Sequence, residues 1–341
     1  MFIILRFIFR LFEEILTFIQ MKTIEKEFIG IIKDRVPTDK NIVSFIADIV
    51  PLGKEAIYRR LRGDCPFTFD EVTTICSKLN ISLDILMGIN KQKNYVFSLG
   101  ATLCEDPYSE HVEMMSAMFS KMNTLVDDPG VWLYRAHKSM PEEFLYKYEH
   151  LFKLYVYIVY YQIYTADRKK MWSFAELNVP PKVFDIQKQT VANIHKFKSI
   201  IILSKRIFIE FIEIIKYFEI MELLDHDDIS KIRKELHSMI NDIEKCAEKG
   251  TSFDDKQMDI YICNIYFDCS YLLVRSDKFH LAAIGVYCLN YLSCGDPNIN
   301  EIHYRWLKSL IRFSTLISVS DELKRKKFFE DQRIVIDREL T

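Results

Sequence analysis

The sequence predicts a mainly α protein: a small all-helical domain near the N-terminus, then a larger helix-rich α+β domain with few strands. Three observations carry that expectation. Only 9 Gly and 9 Pro punctuate 341 residues, so turns are few. Apolar residues recur at helical spacing along residues 41–62 and again through most of 141–249. Alternation with a period of two is confined to the stretch after Met258. At 49% hydrophobic and 13% aromatic, the chain can build cores for two or three domains, which a disordered chain cannot do.

Residues 1–20, MFIILRFIFRLFEEILTFIQ, are apolar but interrupted by Arg6, Arg10, Glu13 and Glu14. A membrane span and a secretory leader both fit them poorly. An amphipathic helix, packed on the body or lying on a membrane surface, stays open. The preferred reading is a segment upstream of the true start, because Met21-Lys22-Thr23-Ile24-Glu25 makes an ordinary beginning.

Residues 21–90 form the first domain. Ile24, Phe28, Ile31 and Ile32 give its first helix an apolar face. The helix Asn41–Val50 does the same with Ile42, Phe45, Ile46 and Ile49. Pro51-Leu52-Gly53 breaks it, since proline lacks an N–H and glycine tolerates dihedrals that others cannot. The next helix, Lys54–Arg62, turns Ala56, Ile57 and Leu61 inward and ends at Gly63. Its outward side chains are Lys54, Glu55, Tyr58, Arg59 and Arg62. Guanidinium forks read guanine edges or clamp phosphate, and tyrosine bonds phosphate or packs on sugar. The plainer alternative is a charged helix face that only meets water. Thr68 and Glu71 form a capping box for a fourth helix, and Ser82 can cap a fifth.

The wider pattern favours the first alternative. Ala47 and Ile57 stand ten positions apart, Leu52 opens the second helix of the pair, and RRLRG closes it. Pro66-Phe67-Thr68 leads into helix four, and Ile81-Ser82-Leu83-Asp84-Ile85-Leu86 follows as helix five. The stretch from Asn41 to Gly88 thus resembles the five-helix DNA-binding domain of the lambda-repressor-like (XRE-type) helix-turn-helix regulators. The resemblance covers about a fifth of the chain. It implies a bacterial, cytoplasmic transcription regulator that binds double-stranded DNA through Lys54, Glu55, Tyr58, Arg59 and Arg62. A homodimer on paired half-sites is the expected form. Two departures stand out: Pro51 replaces the usual turn glycine, displaced to Gly53, and Arg60 replaces an apolar or aromatic residue. Arg60 is expected to lie toward helix two and to leave base choice to Arg59. The competing expectation is a protein-interaction module that uses the same fold without specific DNA binding.

Net charge is −2, so the whole molecule is no polycation. Residues 21–90 carry ten basic and ten acidic side chains, which leaves Lys54, Arg59, Arg60 and Arg62 to supply any positive field. The 8 Cys show no C-x-x-C spacing and no completing His, so reduced thiols are expected and no metal site.

Lys91-Gln92-Lys93-Asn94 reads as a linker to a body spanning 95–341, expected to mediate dimerisation or to sense a ligand or protein signal. A methionine-rich helix covers about Tyr108–Val126, a strand Val131–Ala136, and a long helix runs from Pro141 to about Tyr164. That helix carries Tyr146, Tyr148, Tyr155, Tyr157, Tyr160, Tyr161 and Tyr164, a density found in stacking platforms and, more often, in core helices. Further helices cover Lys182–His195, Lys205–Leu224 and Asp228–Lys249. Asp225-His226-Asp227-Asp228 mimics a metal cluster but reads better as helix capping. Ile265–Leu273 alternates as a strand, and Phe279–Leu292 fits a second strand or a helix. A helix at Glu301–Arg312 and a charged final helix complete the chain, with Lys324-Arg325-Lys326-Lys327 as a solvated face. No phosphate loop, dinucleotide fingerprint, nucleophile elbow or metalloprotease helix occurs, so neither an enzyme nor a cofactor is expected.

Overall fold

The computed structural model describes residues 24–36, 41–79, 81, 83, 95–100, 107–164, 173–277, 279–287 and 290–340. The segment 1–20, the linker at 91–94 and the Ser82 cap lie outside the described residues. The chain divides into two compact units, Met1–Val96 and Phe97–Thr341.

In the first unit residues 24–35 (α1) are helical, followed by α2 (Ile42–Ala47), α3 (Lys54–Leu61) and α4 (Phe69–Leu79). Local chemistry sets these ends. The Asn41 carboxamide accepts from the amides of Val43 and Ser44 at 3.0 and 3.2 Å, capping α2. Residues 48–53 make the turn, in which the Leu52 amide donates to the Val50 carbonyl at 2.7 Å. At the end of α3, Gly63 and Asp64 donate to the carbonyls of Arg60 and Arg59. That double closure needs a left-handed residue, and Gly63 supplies it at φ 78°. Phe28, Ile32, Val43, Ile46, Ile57 and Ile75 form the core.

The second unit overturns the expected mainly α chain with few strands. Among the described residues the protein has 12 helices and an 8-stranded mixed sheet, at 56% helix and 15% strand. The strands are β1 (Ser98–Leu99), β2 (Trp132–His137), β3 (Lys198–Ser204), β4 (Met258–Cys263), β5 (Tyr271–Arg275), β6 (His280–Val286), β7 (Asn290–Cys294) and β8 (Ser314–Leu316). Their order is β1-β7-β6-β5-β2-β3-β4-β8. The pairs β2–β3 and β3–β4 are parallel, and every other pair is antiparallel. The helices are α5 (Pro107–Asn123), α6 (Glu142–Leu145), α7 (Glu149–Tyr164), α8 (Pro181–Ile194), α9 (Ile207–Ile220), α10 (His226–Lys249), α11 (Pro297–Arg312) and α12 (Glu322–Glu339).

The missed strands have a physical reason. In β3 the run from Ser199 to Leu203 is buried on both faces, so it carries no polar alternation. The alternation at 265–273 falls mostly on the connection ahead of β5, and the described part of 279–292 holds two strands, β6 and β7. The expected helix from 141 to 164 is broken at residues 146–148 into α6 and α7.

Strand register puts Leu133, Arg135 and His137 beside Ser199, Ile201 and Leu203, and those beside Met258, Ile260 and Ile262. This face carries the main core with side chains from α6 to α10 and α12. Phe144, Phe152, Tyr155 and Tyr157 are buried there, so the tyrosine-rich helix packs as core. From the opposite face Tyr134 meets Tyr304 of α11 edge-on at 5.4 Å. Asp225 and Asp228 form the capping box of α10, as the sequence predicts. Arg325 departs from the expected solvated cluster: it is buried and donates to the carbonyls of Ile317 and Ser320.

Candidate functional site

Lys54, Glu55, Tyr58, Arg59 and Arg62 are all solvent-exposed along α3 or at its C-cap, while Ile57 on the opposite side is fully buried. Positions 54, 58 and 62 follow each other one helical turn apart, with 55 and 59 beside them, so the five share one face. Arg62 pairs at 3.1 Å with Asp64, and both side chains stay at least half exposed. Such a pair holds Arg62 weakly.

Arg60 behaves differently. Its Nε and a terminal nitrogen donate to the two Glu71 carboxylate oxygens at 2.7 and 2.9 Å, with both side chains largely buried. Glu71 also accepts from the Thr68 amide at 2.9 Å, and its own amide donates to the Thr68 hydroxyl at 3.3 Å. Burial alone would raise the Glu71 carboxyl, but Arg60 and Thr68 over-compensate and hold it below its usual range. The same hydrogen bond to Glu71 raises the Arg60 guanidinium. Arg60 therefore lies against the start of α4. It fastens the exposed helix to its neighbour.

The second unit holds a polar group that sequence reasoning missed. Arg135 and His137 leave β2 on one face and meet Glu143, the second residue of α6, at 3.3 and 2.9 Å. Glu143 is completely buried. Burial would push its carboxyl up, but His137 and Arg135 reverse this and hold it at about 2. His195 donates from Nε2 to the Glu143 carbonyl at 3.1 Å, and burial lowers its imidazole. Glu142 accepts from the Tyr291 hydroxyl at 2.7 Å. Its carboxyl is raised by burial, against the pull of Arg135 and Tyr291.

Glu142 and Arg135 also line a cavity of about 380 Å³ between the β1, β2, β5–β7 part of the sheet and helices α5 and α8. Leu133, Leu272, Val274, Leu281 and Ala283 form its sheet side, and Met114, Met115, Met118 and Met122 its helix side. One sequence signal pointed here: Arg135 and His137 sit two apart in an otherwise apolar strand, which places both on one buried face.

Among the described residues, no three His, Cys, Asp or Glu side chains converge on a metal position, and no helix is long and apolar enough to cross a membrane. Six described cysteines are free thiols. No family model matches the chain, and neither the curated proteins nor the solved structures contain a significant match to it.

Proposed function

We propose that this protein is a sequence-specific DNA-binding transcription regulator, with α3 as the recognition helix and the second unit serving dimerisation or signal sensing. One observation carries the reading. Every polar side chain of the predicted interface is exposed on a single helix face, whereas the one arginine assigned elsewhere, Arg60, is locked to Glu71. A face whose side chains stay exposed, with Arg62 held only by the weak, solvent-exposed pair to Asp64, is what a groove-reading helix requires. One such helix covers too few base pairs to select a genomic site, so dimers on paired half-sites belong to the proposal.

The competing reading, a protein-interaction module, draws on two features. Residues 21–90 are balanced in charge, and Phe69 at the start of α4 is 74% exposed. Selection of random duplexes by the full chain separates the two. Enrichment of a paired motif, lost when Arg59 is replaced by alanine, supports DNA recognition. No enrichment even at low salt, where phosphate contacts are strongest, overturns it in favour of the protein partner.

A further inference from the structure

The cavity in the second unit has the size and chemistry of a ligand site, and its two ends differ. Ligand pockets commonly span about 300–1,000 Å³ and combine apolar walls with a few polar groups. Here the walls are aliphatic, and four methionines line the helix side, side chains that adapt to varied apolar shapes. The polar end is incompletely satisfied. Arg135 and Asn193 are both more than nine-tenths buried and both line the cavity. Arg135 Nε and Asn193 Oδ1 nevertheless have no hydrogen-bond partner. A bound N–H donor would recover the free energy lost at Asn193 Oδ1, an acceptor, while Arg135 Nε, itself a donor, is not served by it.

Charge then selects the kind of head group. Glu142 and Glu143 face one permanent cation, Arg135, which is already engaged with Glu143 at 3.3 Å. Among the described residues, Glu142 receives the Tyr291 hydroxyl alone. An additional donor is therefore favoured at this end, and a third carboxylate is not.

We propose that the cavity binds a small amphiphilic amine, its apolar body among Met114, Met118 and Ala283 and its N–H donors directed to Glu142 and Asn193. This deepens the sensing half of the proposed function, but the binding itself needs no DNA.

The test uses the full chain without DNA and calorimetric titration with octylamine, octanol and octanoate, each below its micelle concentration. Octylamine is expected to bind best, octanol more weakly and octanoate least. Glu142→Gln keeps the shape and removes the charge, so octylamine should lose about tenfold while octanol changes little. Ala283→Leu fills the cavity from β6 and should abolish binding of all three, with circular dichroism confirming the fold. Should that variant not fold, Met115→Trp plugs the cavity from α5. Octanoate binding best, or Glu142→Gln weakening octylamine and octanol equally, overturns the head-group assignment. Binding that persists in a folded plugged variant, or no binding by any probe, overturns the site. None of these outcomes touches the duplex selection, so the two proposals fail separately.

Discussion

Two arginine–glutamate pairs, one in each unit, show how differently the same chemistry is used. Arg60 and Glu71 bridge α3 and α4 in the first unit with some 12–13% of each side chain still wet. Arg135 and Glu143 join β2 to α6 in the second, with Glu143 fully buried and His137 as a third member. The first pair fixes a helix whose remaining charges face water. The second places charge inside the fold, beside a cavity, where unpaired polar atoms persist. Exposed charge is available to a partner at little cost, whereas buried charge must be balanced internally or by something that enters.

The buried pair should therefore be the more expensive to break. Glu143→Ala removes the buried carboxylate that Arg135 and His137 share, leaving Glu142 as the acid still near them, and is expected to cost roughly 3–5 kcal/mol in chemical denaturation. A loss below that of an ordinary surface substitution would show that water or rearrangement rescues the site, and the comparison would collapse.

Acid should expose the same contrast. Burial lowers the His111 imidazole to about 4, while its value in an unfolded chain is near 6.5. Between those values the unfolded chain binds a proton that the folded chain refuses, so stability falls as pH drops through that window. His195 and His303 are lowered by burial too and act in the same direction. Glu143 contributes at lower pH: held at about 2, it lends stability above its ordinary value of 4.5 that is lost as pH falls toward 2. Each window is worth up to a few kcal/mol, on the order of 3 for His111. His111→Asn should make the upper window shallower, with His195 and His303 still acting in it, and leave the lower one. Stability constant between pH 6.5 and 4 would contradict the burial of all three imidazoles.

The legibility of the two units follows from the range of their interactions. Gly63, Thr68 and Glu71 act on neighbours within a few residues, so the sequence spells them out. The strand order does not work that way: Ser98 pairs with Ser293, and Trp132 pairs with both Lys198 and Arg275. The cavity likewise brings Arg135 and Glu142, from consecutive elements, together with the distant Asn193 and Tyr291. Only the Arg135–His137 spacing left a local trace. Arg60 marks the boundary of this rule, because the family register did not anticipate Glu71 eleven residues on as its partner.

On α3 the comparison can be drawn between adjacent residues. Arg60→Ala should lower the melting temperature of the first unit, costing roughly 1–3 kcal/mol, and leave the order of preferred duplexes unchanged. Arg59→Ala should do the reverse, with stability unchanged and about 1–3 kcal/mol lost on the selected site. Arg62→Ala should weaken selected and scrambled duplexes alike and flatten the salt dependence, since a phosphate clamp carries no sequence information. If Arg60→Ala alone erased site preference, the exposed face would not be the one that reads DNA.

The smallest expected effect tests whether the exposed helix is shaped by its own backbone. Gly63 closes α3 at φ 78°, and a Cβ built there meets nothing within 4 Å. Gly250 closes α10 at φ 70°, but a Cβ there would lie 2.5 Å from Val319 Cγ2. Gly63→Ala should therefore cost only the left-handed backbone penalty, about 1 kcal/mol, while Gly250→Ala adds the displacement of Val319 to the same penalty. Because Gly63 and Asp64 hold the last carbonyls of α3, the small loss at Gly63 should appear as fraying at Arg62. In DNA binding it should resemble a mild Arg62→Ala, weakening all duplexes slightly and altering no preference. Equal losses at the two glycines would mean that Val319, 71% exposed, swings aside freely. The closure of α10 would then be as local as that of α3.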